Sequence, residues 1–215
     1  MTARERLAEA RLYLVCDARP RAFLDAALRG GADVIQLRDK TLDDDGLIAA
    51  ARAFRAAADA HGALFILNDR PDLVDACAAD GVHVGQDDTP VAEARRRLGD
   101  EYVIGLSTHS PEQLDAACSA PPESRPDYVS VGPVWETPTK EGRPGTGLEL
   151  IEHAASASTV PWFAIGGIDT TNVGDVVAAG AERIVVVRAI RDSDDPAAAA
   201  RALRDAVEAG TGAWD

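Results

Sequence analysis

Short, mostly apolar runs recur along the chain, each ending in a polar cluster: "RLYLVCD", "DVIQLRD", "ALFILND", "GVHVGQ", "YVIGLST", "DYVSVGP", "WFAIGGI" and "RIVVVRA". Their length and richness in Val, Ile and Leu fit strands buried on both faces. Between them lie alanine-rich stretches with helical spacing, such as "RAFLDAALRGG" and "DGLIAAARAFRAAADAHG". Several of these close on a glycine just before the next run, as in "RGGADV" and "AAGAERI". Strands alternating with helices predict parallel β/α units. Eight repeats predict a closed (β/α)8 TIM barrel over residues 1–215, close to the short end for that fold. An open doubly wound sheet fits less well, because no GxGxxG follows the first strand.

The carboxyl ends of the strands carry the polar residues. They are Gln36, Arg38 and Lys40 after the second strand, Asn68 and Asp69 after the third, and Gln86, Asp87 and Asp88 after the fourth. Ser107, Thr108 and His109 follow the fifth, Thr137, Thr139 and Lys140 lie in the loop after the sixth, and Gly166, Gly167 and Arg188 come after the seventh and eighth. In a barrel these ends meet at one mouth. Arg38 and Lys40 are suited to phosphates, one as a fork and the other as a point charge. Asp69 and Asp88 are hard oxygen donors suited to Mg²⁺, which keeps water or substrate oxygens beside one or two carboxylates. Each motif also has a plainer reading. "LNDR" can be an Asx turn before a helix started by Pro71, "GQDDTP" can be a helix start capped by Asp87, and the cations can be solvated. The double glycine of "AIGGI" permits close backbone approach to a phosphate but also serves tight turns. His61 reads as structural, His153 as exposed on a helix, His83 as either core or pocket, His109 as near the site, and Trp135 as pocket lining.

Composition narrows the partners. The net charge is −14, which argues against nucleic acid. Only two lysines, Lys40 and Lys140, stand beside 20 arginines, and 24 aspartates beside 12 glutamates. Such an acidic surface fits a salt-loving source, although GC-rich coding favours the same residues. No run of 18 apolar residues and no apolar signal core appear, so neither a membrane span nor export is expected, and a cytoplasmic location is. Cys16, Cys77 and Cys118 are widely spaced and read as free thiols.

Taken in order, "QLRDK", "ILNDR", "GVHVGQDD", "GLSTHS", "YVSVGPVWETPTK", "AIGGI" and "VVVRAI" resemble the thiamine-phosphate synthase family over essentially the whole chain. The resemblance implies a (β/α)8 barrel that joins hydroxymethylpyrimidine diphosphate to a thiazole phosphate with Mg²⁺, releasing diphosphate. It implies that the segment Gln36, Leu37, Arg38, Asp39 and Lys40 binds the pyrimidine diphosphate with Asn68, Ser107 and Lys140. Arg38, Lys40, Ser107 and Lys140 would serve catalysis. Asp69 and Asp88 would hold Mg²⁺, while Thr137, Pro138, Thr139, Gly167, Val187 and Arg188 would hold the thiazole phosphate. Arg188 stands where many relatives have serine, and Trp135–Glu136 replaces a more usual Tyr-Pro or Phe-Pro pair. A thiazole tautomerase and a non-catalytic thiamine-phosphate binder are the alternative readings. The expected partners are small molecules, without nucleic acid or membrane, and a homo-oligomer is possible.

Overall fold

A computed structural model describes residues 1–136 and 145–211. All eight expected runs are strands: β1 (Leu12–Cys16), β2 (Val34–Leu37), β3 (Leu64–Asn68), β4 (Gly81–Val84), β5 (Val103–Thr108), β6 (Tyr128–Val131), β7 (Trp162–Ile165) and β8 (Ile184–Val186). They pair in parallel in chain order, and β8 returns to β1, with Leu12 beside Ile184, to close the barrel.

Strand alternation separates two cores. Leu12, Ile35, Leu37, Phe65, Val82 and Ile104 pack outward against the helices. Tyr13, Val34, Leu64, Ile66, Val103, Tyr128, Phe163 and Val185 fill the barrel itself. The helix α1 (Ala3–Glu9) seals the amino-terminal end, where Leu7 joins the inner core.

The outer helices follow the sequence pattern. α2 (Arg21–Arg29) buries Leu24, Ala27 and Leu28. α3 (Asp44–His61) buries Leu47, Ala51, Phe54 and Ala58, a stripe at three- and four-residue spacing. The Asp43 side chain caps α3 by accepting from the Gly46 N–H, and Gly62 ends it with φ of 68°, a conformation that favours glycine. One local expectation is corrected. No helix starts at Pro71; a single turn, α4 (Val74–Cys77), starts three residues later. It stops at once because Ala78 turns left-handed (φ 51°) and sends the chain down to β4.

The barrel floor is fastened by three aspartates, Asp33, Asp80 and Asp127, each directly before an even-numbered strand and equally spaced along the chain. Each accepts a backbone N–H from the preceding strand: Leu12 to Asp33 at 3.0 Å, Phe65 to Asp80 at 2.8 Å and Ile104 to Asp127 at 2.7 Å. Each also pairs with arginine: Arg204 with Asp33, Arg6 and Arg55 with Asp80, and Arg4 and Arg95 with Asp127. Arg4 and Arg6 belong to α1, so the same carboxylates that bridge the strands hold the sealing helix down.

Candidate active site

At the opposite, carboxyl-terminal end of the strands a cavity of about 1160 Å³ opens. Its lining brings together Gln36, Arg38, Asp39 and Lys40 from the β2 end, Asn68 and Asp69 from β3, Asp88 from the β4 loop, Ser107 from β5, and Gly167, Val187 and Arg188 from the last two strand ends. Residues far apart in sequence thus share one space, as parallel strands of a barrel require.

The acidic corner is the most specific feature. Asp69 has φ of 60°, a left-handed conformation unusual for a residue other than glycine. Its N–H bonds the His83 carbonyl at 2.9 Å, and this pins the turn. Burial first, and the neighbouring Asp88 carboxylate second, push the Asp69 carboxyl above the ordinary carboxylate range; Lys40 and Asn68 pull the other way. Lys40 Nζ lies 3.7 Å from Asp69 Oδ2. Asp88 accepts from the Gly85 N–H at 2.8 Å and closes this turn, while the helix that follows, α5 (Val91–Leu98), starts after Pro90 with no side-chain cap, so Asp87 does not cap it. Two carboxylates driven together against their mutual repulsion form a donor set that fits one hard divalent cation. Among the described residues no cluster of three or more His, Cys, Asp or Glu side chains is placed for a metal, so such an ion would complete its shell with water or substrate oxygens.

The cationic part of the mouth is open to ligand. Lys40 is exposed, and no hydrogen bond or ion pair ties the Arg38 or Arg188 guanidinium to another described residue. Leu37 is placed differently from its expected role as a contact: alternation along β2 turns its side chain into the outer core, so its side chain faces away from the cavity. The Asp39 carboxylate lies at the cavity edge but accepts from Ala18 N at 3.2 Å, Thr41 N at 3.0 Å and the Thr41 hydroxyl at 2.6 Å, which shapes the β2 loop. Gly167 takes φ of 70°, a conformation that favours glycine, and a Cβ there would stand a tight 3.0 Å from the Trp135 Cβ. Trp135 itself packs on the outer core and does not line the cavity, contrary to the expectation from sequence. His61 pairs with Asp25 at 3.0 Å, in keeping with a structural role, and His153, expected to be exposed, is partly buried and pairs with Asp115 at 2.9 Å. Thr137, Pro138, Thr139 and Lys140 lie outside the described residues.

Beneath the cavity, in the barrel interior, lie two tyrosines that no sequence motif marks. Tyr13 and Tyr128 meet hydroxyl to hydroxyl at 2.9 Å inside the barrel. Tyr13 receives the Gln36 amide, and Tyr128 meets His83, which in turn meets Ser107. The usable signal was their parity: Tyr13, His83, Ser107 and Tyr128 occupy inward-facing positions of their strands.

Fold and cavity together define a (β/α)8 barrel whose mouth gathers carboxylate and cationic side chains. The family model described as thiamine monophosphate synthase matches residues 12–190. A thiamine-phosphate synthase from Arthrobacter sp. is 50% identical over 235 residues, covering 98% of this chain and 99% of its own. One from Thermobifida fusca is 52% identical, covering 94% of each. Among solved structures, the thiamine phosphate pyrophosphorylase of Pyrococcus furiosus superposes with a TM-score of 0.84 at 30% identity, covering 96% of this chain and 98% of that one. The chain belongs to the thiamine-phosphate synthase family and is an enzyme of that transferase class. No helix among the described residues is long and apolar enough to cross a membrane.

Proposed function

We propose that the chain joins 4-amino-2-methyl-5-hydroxymethylpyrimidine diphosphate to a hydroxyethylthiazole phosphate, giving thiamine phosphate and diphosphate. The observation that carries this reading is the Asp69–Asp88 carboxylate pair beside Lys40, set in the same cavity as Arg38, Gln36 and Ser107. Cations and a cation site on one side of a cavity suit a diphosphate, and polar inward side chains on its floor suit an aminopyrimidine.

Asp69 and Asp88 would hold Mg²⁺, which when bound supplies positive charge to a diphosphate as it leaves. Arg38 and Lys40 add direct charge and hydrogen bonds to the same oxygens. Lys140 of the sixth loop is assigned to the same diphosphate by the family resemblance. The bond from the pyrimidine methylene to diphosphate oxygen breaks, and its electron pair leaves with the diphosphate. The amino-substituted ring supports the cationic methylene. The thiazole nitrogen lone pair then forms the new C–N bond, which leaves a thiazolium product. Gln36, Asn68 and Ser107 orient the pyrimidine. Gly167 and the Val187–Arg188 backbone, with Thr137, Pro138 and Thr139, receive the phosphate of the thiazole. No protein nucleophile is needed: positioning and charge stabilisation carry the rate. The enzyme works in the cytoplasm on small molecules.

The test is to supply both substrates with Mg²⁺ and separate the products. Thiamine phosphate and equimolar diphosphate are expected. Isomerisation of the thiazole phosphate without coupling would replace this reading with a tautomerase.

A further inference from the structure

Lys40 and Asp69 meet across the β2–β3 boundary as a mobile group against a fixed one. The backbone around Lys40 is tied down: the Arg38 N–H bonds the Cys16 carbonyl at 2.8 Å, and the Asp39 carboxylate accepts from Ala18 N, Thr41 N and the Thr41 hydroxyl. The Lys40 side chain is not tied: 66% of it is exposed, on a flexible four-carbon stem. The carboxylates it faces are held in place. The Asp69 N–H is pinned to the His83 carbonyl at 2.9 Å, and Asp88 is held by the Gly85 N–H at 2.8 Å. Glycine is needed there, because a Cβ on Gly85 would stand 2.7 Å from Asp88 Oδ2.

Lys40 is also the cation that answers this carboxylate pair. Among the described residues it alone is in ion-pair contact with either member, at 3.7 Å from Asp69 Oδ2. Arg70, next to Asp69 in sequence, is committed elsewhere: to Asp72 through bonds of 2.9 and 2.7 Å, and to Asp44 at 2.6 Å. Burial and Asp88 raise the Asp69 carboxyl, and the charge that counters them is that of Lys40. A divalent ion on Asp69 competes with this ammonium for the same carboxylate. Like charges within a few ångströms repel even in water, and the mobile partner is the one that yields.

We infer that Lys40 is an exchangeable counter-ion of the Asp69–Asp88 pair: a divalent cation displaces its ammonium from Asp69, and the freed ammonium turns into the cavity to meet the diphosphate that accompanies the cation. Lys40 therefore opposes binding of the metal alone and favours binding of metal and diphosphate together. It couples the two ligands, so that the pair takes up its metal with the diphosphate rather than before it. That the pair holds a metal rests on the reading under Proposed function; the exchange is a property of Lys40.

The test measures binding without turnover, on the full-length chain. The probe is Mn²⁺, which takes the same oxygen donors as Mg²⁺ and whose free form is counted by electron paramagnetic resonance. Lys40→Met removes the charge, nearly keeps the length and leaves the core untouched. It should bind Mn²⁺ alone about three- to tenfold more tightly than the parent. It should bind inorganic diphosphate at saturating Mn²⁺ at least about tenfold more weakly. Lys40→Met should bring no tightening in an Asp88→Asn background, where the amide keeps an acceptor for the Gly85 N–H but loses the charge. This separates the pair from the rest of a chain of net charge −14. Unchanged or weaker Mn²⁺ binding in Lys40→Met, tightening that persists without the Asp88 charge, or diphosphate binding equal to that of the parent would each overturn the inference alone. Equal Mn²⁺ binding in the parent and in Asp88→Asn would instead overturn the metal reading of the pair, and the inference with it.

Discussion

Lys40 Nζ stands 3.7 Å from the Asp69 carboxylate, across one strand boundary at the barrel mouth. The contact is long and Lys40 is well exposed, so it contributes little to folding. A diphosphate chelated near Asp69 would meet the ammonium without disturbing the core. Lys40→Ala is therefore expected to leave the melting temperature unchanged and to lower kcat by on the order of 10²-fold. Lys40→Arg should also lose activity, because a planar fork replaces a compact point charge. Steady-state kinetics of the two variants, with unchanged turnover as the contrary outcome, would identify a merely solvated lysine.

The floor of the barrel should behave in the opposite way. Arg95 and Asp127 are 10% and 11% exposed, and Asp127 also accepts from Arg4 and Ile104 N. Asp127→Ala leaves buried charge and a strand N–H unpaired. Denaturant unfolding should report a loss of about 3–5 kcal/mol, with kcat per folded molecule preserved because the site lies at the other end of the strands.

Gly105→Ala should be costly for a different reason. Its Cβ would overlap the Tyr128 ring, which is wedged between His83 and Phe163 at centroid distances of 5.4 and 5.7 Å. Overpacking of this kind costs about 1–3 kcal/mol. Calorimetry should show the drop in stability together with a fall in turnover, since the same shift displaces His83 from Ser107. A variant as stable and as active as the parent would contradict the described packing.

Acid should loosen the mouth. Hydrogen bonds from Thr41 hold the Asp39 carboxyl below its ordinary value, and those from Thr171 do the same for Asp169 after β7. A carboxyl depressed in the folded state contributes stability that is complete above its unfolded value, near 3.9, and is lost as pH falls through the folded value. Unfolding free energies measured from pH 6 to pH 2 should therefore decline less steeply in a Thr41→Val, Thr171→Val double variant than in the parent.

Much of the fold could be read from the chain because parallel strands buried on both faces are nearly continuous apolar runs, and because their polar punctuation marks one end of the barrel. The same property hid the floor. When both faces are buried, apolar character does not distinguish an outward Leu37 from an inward Tyr13, so Leu37 was counted toward the site and Tyr13 and Tyr128 were not. Asp69 was found by its position, yet its left-handed backbone and its contact with Asp88 depend on closure of β3 against β4, which no local pattern encodes. Pro71 suggested a helix start, but the left-handed Ala78 and the short return to β4 leave space for a single turn only. The bottom aspartates are visible as letters, each just before a strand, but their arginine partners come from α1, α3, α5 (Val91–Leu98) and the helix Pro196–Thr211, and are specified only by tertiary packing.

The central claim is that the Asp69–Asp88 pair carries the divalent cation for diphosphate departure. Its most direct test is turnover of the pyrimidine diphosphate and thiazole phosphate across a Mg²⁺ titration, in the parent and in Asp88→Ala. The account predicts saturable Mg²⁺-dependent thiamine phosphate formation in the parent, abolished by chelation, and a loss of at least roughly 10²-fold in the variant at the same Mg²⁺. Thiamine phosphate formation that persists undiminished in Asp88→Ala, or in the parent after complete chelation, would contradict it.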